Sequence, residues 1–242
     1  MGRPIQKKYF GNTNSPYQGG DTGEGGEGVA SYGSITAGTG WTSAPTVTVS
    51  PPTAPNGVTA TVAAHYKALS AVVVTSGTGD VTKDYVRGDT LTVVGGTRST
   101  AAVFTVASVK VRTAGVQTGG TTTWTTGDTV TFSAAGWATP AVLTITAVAG
   151  AITAVAITTA GSWTTNGSVP TDPVAPSSAT VANGGGYQND ATFNLGFGVN
   201  TVTVTTAGDY TVFPSNPVAT TTNSANGTGA TLTVTWNLLS VA

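Results

Sequence analysis

Polar and apolar residues alternate strictly in short runs along most of this chain. The clearest are Thr46-Val47-Thr48-Val49, Thr90-Leu91-Thr92-Val93, Thr129-Val130-Thr131-Phe132, Thr201-Val202-Thr203-Val204 and Thr231-Leu232-Thr233-Val234-Thr235-Trp236. A period of two carried by β-branched residues predicts pleated strands with one wet and one buried face. Leucine is scarce and no glutamate follows Glu27, so strong helix formers are missing where a helix would need them. An all-β chain is expected.

The alternating runs recur in a larger pattern. A strand, a glycine turn and often an aromatic repeat as Ile35-Thr36-Ala37-Gly38-Thr39-Gly40-Trp41-Thr42, Ile157-Thr158-Thr159-Ala160-Gly161-Ser162-Trp163-Thr164 and Val204-Thr205-Thr206-Ala207-Gly208-Asp209-Tyr210-Thr211. Shorter copies surround Gly77 and Gly115, where the aromatic is lost. The anchoring glycines at 38, 77, 115, 161 and 208 are spaced by 39, 38, 46 and 47 residues. After several of them a turn launches a strand, as in Ala44-Pro45-Thr46-Val47, Gly88-Asp89-Thr90-Leu91 and Gly127-Asp128-Thr129-Val130. An outward strand and hairpin then return, most plainly around Ala149-Gly150. Each unit of about three strands cannot bury its apolar face alone, so stacking must complete it. The expected fold class is therefore all-β: repeated three-strand antiparallel units forming stacked small β domains, of sandwich, barrel or solenoid kind, behind an extended N-terminal arm.

The expected boundaries are an arm over 1–31, a β-repeat domain over 32–168, a loop or hinge over 169–187 and a C-terminal β domain over 188–242. The arm holds Arg3, Lys7 and Lys8, then a glycine-rich acidic stretch from Gly19 to Gly28 that cannot order itself by burial. The hinge is marked by Pro170, Pro173, Pro176 and Gly184-Gly185-Gly186.

Composition narrows the function classes. Only 8% of the 242 residues are charged, the net charge is −1, and threonine occurs 50 times. There is no cysteine, hence no disulfide framework, thiolate metal site or cysteine nucleophile. The hydrophobic share, 39%, is mostly alanine and valine, which favours thin layers over one deep core. The balance of charge gives no basic face for nucleic acid, and no apolar run reaches membrane-spanning length. All nine Lys and Arg residues lie at or before Arg112, so the two parts of the chain carry +3 (9 − 6) and −4 (0 − 4). Strand edges with almost no charged guards must either close on themselves or be covered by other subunits.

Side chains that could carry chemistry read as structural. His65 is placed at the tip of a hairpin, as a surface or interface residue. Asp80, Asp84 and Asp89 are close in sequence, but Asp89 and Asp128 occupy equivalent Gly-Asp-Thr turns, where a carboxylate caps local amides. No Asp-x-Asp-x-Asp-Gly loop exists for calcium, and no nucleophile motif accompanies the histidine. No cofactor, no metal and no catalytic activity are expected. Trp41, Trp124, Trp137, Trp163, Tyr187 and Tyr210 could form a glycan platform, but Trp41, Trp163 and Tyr210 fall in register at the repeat turn, which favours covering the glycine turns and sealing adjacent units. Asn166-Gly167 and Asn226-Gly227 read as hairpin turns.

The opening Gly2-Arg3-Pro4-Ile5-Gln6-Lys7-Lys8-Tyr9-Phe10-Gly11 resembles the start of structural proteins of tailed marine phages, cyanophages among them. The Gly40-Trp41-Thr42-Ser43-Ala44-Pro45-Thr46-Val47-Thr48-Val49 unit is similar to repeats common in phage virion proteins. The resemblance implies a virion component assembled in the host cytoplasm, with a capsid decoration (cement) protein as the leading role. Its arm would clamp neighbouring major capsid subunits, with Arg3, Pro4, Lys7, Lys8, Tyr9 and Phe10 as expected partner contacts. Its partners would be the major capsid protein and copies of itself, with no nucleic acid and no membrane. The alternative role is a tail, neck or fibre protein, in which the repeats form a shaft or a tip for host glycan.

Overall fold

The computed structural model describes residues 36, 38–41, 43–50, 59–78, 84–121, 123–182, 190–223 and 227–241. These contain fifteen strands and no helix: β1 (Thr39–Trp41), β2 (Ala64–Thr78), β3 (Thr90–Val93), β4 (Thr97–Thr100), β5 (Val103–Thr118), β6 (Thr129–Phe132), β7 (Trp137–Thr139) and β8 (Ala141–Val148), then β9 (Ala151–Thr159), β10 (Ser162–Trp163), β11 (Ser178–Thr180), β12 (Thr192–Thr206), β13 (Asp209–Val212), β14 (Val218–Thr222) and β15 (Thr228–Val241). Every ladder between them is antiparallel. The chain is all-β, as its alternation predicts.

The repeat is visible in the hydrogen bonds. In the unit opened by Gly77, Gly88 N donates to Val106 O (2.9 Å) and Val106 N returns to Asp89 O (2.8 Å). In the unit opened by Gly115, Gly127 N donates to Ile145 O (2.9 Å) and Ile145 N returns to Asp128 O (2.7 Å). The strands that follow, β3 and β6, alternate identically between half-buried threonine and fully buried Leu91, Val93, Val130 and Phe132. Each pairs with the long strand of its own unit, β3 with β5 and β6 with β8.

The units do not stack as separate three-strand bodies, because their long strands pair across great sequence distances. β2 runs against β15 from Ala64↔Val241 to Thr78↔Thr228, and β5 runs against β12 from Val103↔Thr206 to Thr118↔Thr192. β14 pairs with β15 through Val218 and Ala219, then with β3 through Thr220 to Thr222, turning a corner between two layers. β12 lies alongside β2 without a ladder, which closes the ring β2–β15–β14–β3–β5–β12. β5 and β12 also border a second ring, completed by Val174, β11, β6, β8 and β9. Their lengths of 16 and 15 residues follow from serving both rings.

Three expectations change here. The ladders β2–β15 and β5–β12 tie residues before 168 to residues after 188, so strand pairing does not separate the two expected domains. The segment read as a hinge instead contains Val174, bridged to Phe193, and β11, paired to β6. Its strand character was masked by Pro170, Pro173 and Pro176, which are tolerated because this strand lies at a sheet edge. The buried side chains also form one continuous core rather than thin separate layers. Aromatic rings supply the volume that alanine and valine lack: Tyr66, Tyr210, Phe213 and Trp236 in the first ring, Trp137, Trp163 and Phe197 beside the second.

The aromatic is not lost after Gly77 and Gly115. It is delayed by an insertion: Tyr85 and Trp124 stand three residues before the Gly-Asp turns and are 1% and 2% exposed. Tyr85 packs over Gly77 and Gly227, and Trp124 Nε1 donates to Gly119 O (2.9 Å). Four units thus set a ring against a glycine, and in the third the ring is tied to Gly119 by its Nε1.

Candidate functional site

The expected contact residues Arg3, Pro4, Lys7, Lys8, Tyr9 and Phe10 lie outside the described residues, as do Asp80 and Tyr187. Among the described residues, two clusters bring titratable side chains together, and no group of three His, Cys, Asp or Glu side chains is placed to hold a metal ion.

The first cluster guards the outer edge of β12. On that edge, Phe193 exchanges both backbone bonds with Val174, Leu195 N donates to Asp172 Oδ1 (2.9 Å) and Phe197 N donates to Asp84 Oδ1 (2.5 Å). Alternate amides of one strand point the same way, so three acceptors spaced two residues apart satisfy the whole exposed stretch. The sequence's demand that bare edges be closed is met here by the chain itself. Burial raises Asp84 to about 6; the Phe197 amide opposes the rise, Asp172 adds to it and the Arg112 guanidinium opposes it. Burial likewise raises Asp172, against the Leu195 amide. Both carboxylates are spent on backbone amides, which is structural use of an acid pair.

The sign of the pH effect follows. Asp84 binds its proton more tightly folded than at its ordinary 3.8, so its contribution is fully present below about 4 and disappears as pH rises through about 6. Asp84→Asn keeps an acceptor for Phe197 N without the charge. In urea titrations, wild type should lose stability relative to Asp84→Asn between pH 4 and pH 7; a constant difference would contradict the assignment.

The second cluster joins three strands. His65 Nδ1 meets Asp209 Oδ1 at 2.6 Å, and Ser99 Oγ donates to Asp209 Oδ2 at 2.9 Å. His65 lies within β2, not at a hairpin tip, because β2 begins at Ala64 and pairs His65 with Ser240. The His65 hydrogen bond, then that of Ser99, holds Asp209 below the usual carboxylate range. A nucleophilic relay needs histidine between serine and aspartate. Here the aspartate sits between the other two, so the cluster clamps β4 and β13 to β2.

Asp89 and Asp128 cap their turns as expected: Val86 N donates to Asp89 Oδ2 (2.9 Å) and Thr125 N to Asp128 Oδ2 (2.7 Å). Trp124, Trp163 and Tyr210 are 2%, 8% and 0% exposed, so their ring faces are used by the core and offer no glycan platform. The Nε1 of Trp163 donates to Ser168 O (2.8 Å) and Tyr210 Oη accepts from Ala102 N (2.9 Å). Asn166-Gly167 is a turn, with Gly167 at φ +70° and its amide donating to Arg87 O.

No family model, curated protein or solved structure matches this chain. Its assignment rests on geometry and on its own residues.

Sequence reasoning missed the Asx-Pro-Val element. Asp172-Pro173-Val174 and Asn216-Pro217-Val218 make the same contacts: each valine bridges its own long strand, at Phe193 and Leu232, and each Asx Oδ1 accepts from the amide two residues further on, Leu195 and Val234. The shared tripeptide is the signal that could have found it.

Proposed function

We propose that this chain is a structural component of a phage virion, foremost a capsid decoration protein whose N-terminal segment clamps neighbouring major capsid subunits. The single observation that supports this reading is the opening Gly2-Arg3-Pro4-Ile5-Gln6-Lys7-Lys8-Tyr9-Phe10, with Arg3, Lys7 and Lys8 placed ahead of a charge-poor body. The body agrees with it: both carboxylate clusters serve the scaffold, and the exposed strand faces carry paired threonines, as in the Thr75–Thr231 and Thr118–Thr192 hydroxyl pairs, beside exposed Leu69, Val72 and Val74 on β2. A rigid β body with a long leading segment gains affinity by spreading contact over a wide surface. The fibre-tip alternative has less support, because Trp124, Trp163 and Tyr210 among its candidate rings are buried.

Removing residues 1–31 is the direct test. The truncated body should keep its β circular dichroism and melting behaviour yet fail to bind purified phage heads that the full chain decorates. Undiminished binding by the truncated chain, or no binding by the full chain, would contradict the clamp.

A further inference from the structure

Each of the five glycine-anchored units places one short segment ahead of its long strand, and in four of them it is a strand: β3, β6, β11 and β14. These four strands mate in pairs within the chain. β3 of the second unit lies antiparallel to β14 of the fifth, with Leu91↔Thr222, Thr92↔Thr221 and Val93↔Thr220. β6 of the third lies antiparallel to β11 of the fourth, with Thr129↔Thr180, Val130↔Ala179 and Thr131↔Ser178. The first unit's segment is Thr46-Val47-Thr48-Val49. It has the same alternation of exposed threonine and half-buried valine, but among the described residues it enters no ladder. The following Thr59-Ala60-Thr61-Val62, leading into β2, alternates in the same way and is also unladdered.

An odd number of units leaves one segment without a mate among the described residues. At the matching positions, Leu91, Val93 and Val130 are 0% exposed, while Val47 and Val49 remain half-buried. What covers such a strand is shown twice in this molecule: an antiparallel strand of the same kind from another copy of the unit. Antiparallel pairing of two identical strands is also the arrangement a twofold axis permits. We infer that Thr46–Val49 is a self-association strand, mated across a twofold axis by Thr46–Val49 of a second copy of this chain. The contact uses main-chain bonds for affinity and alternate side chains for register. No charge lies in Thr46–Val49 to oppose it, and Tyr66 Oη anchors its start by donating to Pro45 O (2.9 Å). This reading is independent of the capsid assignment.

The test uses the full chain in solution. Sedimentation across a wide concentration range should show a monomer–dimer equilibrium. Thr48→Pro removes a donor that no described residue accepts, so it should weaken the dimer about tenfold or more with an unchanged melting temperature. The absence of cysteine allows a second measurement. Single cysteines at positions 46, 47, 48 and 49 should include at least one that oxidises to a covalent dimer, since directly opposed antiparallel residues lie within disulfide reach. Thr221→Cys, on the mated β14, should not. A chain that is monomeric throughout, a dimer untouched by Thr48→Pro, or cysteines at 46–49 that cross-link no faster than Thr221→Cys would overturn the proposal. Should Thr48→Pro fold poorly, the cysteine series decides.

Discussion

Gly161→Ala and Gly208→Ala should each lower unfolding free energy by about 2–5 kcal/mol, whereas Gly115→Ala should change it by no more than about 0.5 kcal/mol. All three glycines anchor the same repeat, and only their surroundings differ. Gly161 and Gly208 have φ of +69° and +74°, where an L side chain costs about 1–2 kcal/mol. An added Cβ would also stand 2.8 Å from Ala141 N in one case and 2.7 Å from Ala102 N in the other. Ala141 is held in the β6–β8 ladder and Ala102 N is held by Tyr210 Oη (2.9 Å), so neither backbone atom can yield cheaply, and forced overpacking adds about 1–3 kcal/mol. Gly115 lies inside β5 with open space around it and an ordinary strand φ. Urea unfolding of the three variants checks this. Equal losses at all three would mean that the repeat, and not the local backbone, demands glycine.

Asp128→Ala should cost about 2–5 kcal/mol, and Asp128→Asn roughly half as much. Asp128 is 2% exposed and accepts two amides, Thr125 N at 2.7 Å on Oδ2 and Ala182 N at 2.8 Å on Oδ1. Alanine removes both bonds to the carboxylate, at about 1.5–3 kcal/mol each before water restores part of the loss at the exposed Thr125 and Ala182. Asparagine presents one acceptor and so retains one of the two bonds. Because Ala182 follows β11, the loss should also loosen that strand. Amide exchange at Ala182 should accelerate in Asp128→Ala before exchange in β8 does. Unchanged protection at Ala182 would show that the carboxylate holds only its own turn.

The strands and their alternation were legible because threonine and valine at period two leave little else for the backbone to do. The caps of Asp89 and Asp128 were legible for a related reason: a Gly-Asp-Thr turn is local chemistry, complete within a few residues. Pairing was not. Nothing in Val103–Thr118 says that its mate is Thr192–Thr206, some ninety residues away, because threonine ladders are interchangeable along an uncharged sheet. The hinge was misread since its prolines were weighed as breakers, although Asp172-Pro173-Val174 and Asn216-Pro217-Val218 place the proline just ahead of the bridged valine. The delayed rings of Tyr85 and Trp124 escaped notice because insertions shifted them from the glycine, while their distance to the Gly-Asp turn stayed fixed. His65 was placed at a hairpin tip, whereas β2 begins at Ala64 and runs through it. The edge of β12 could not be anticipated at all: Asp84 and Asp172 are 88 residues apart and meet only through Leu195 and Phe197.

The central structural claim is that one unit grammar runs through the chain, with four short strands mated internally and the first left for a second copy. Residue-resolved amide exchange tests it most directly. In dilute solution Thr90, Thr92, Thr129 and Thr131, whose amides face the mated strand, should exchange slowly while Thr46 and Thr48 exchange freely, and raising the protein concentration should slow Thr46 and Thr48 alone. Equal protection of all six amides in the dilute monomer, or no response of Thr46 and Thr48 to concentration, would contradict it.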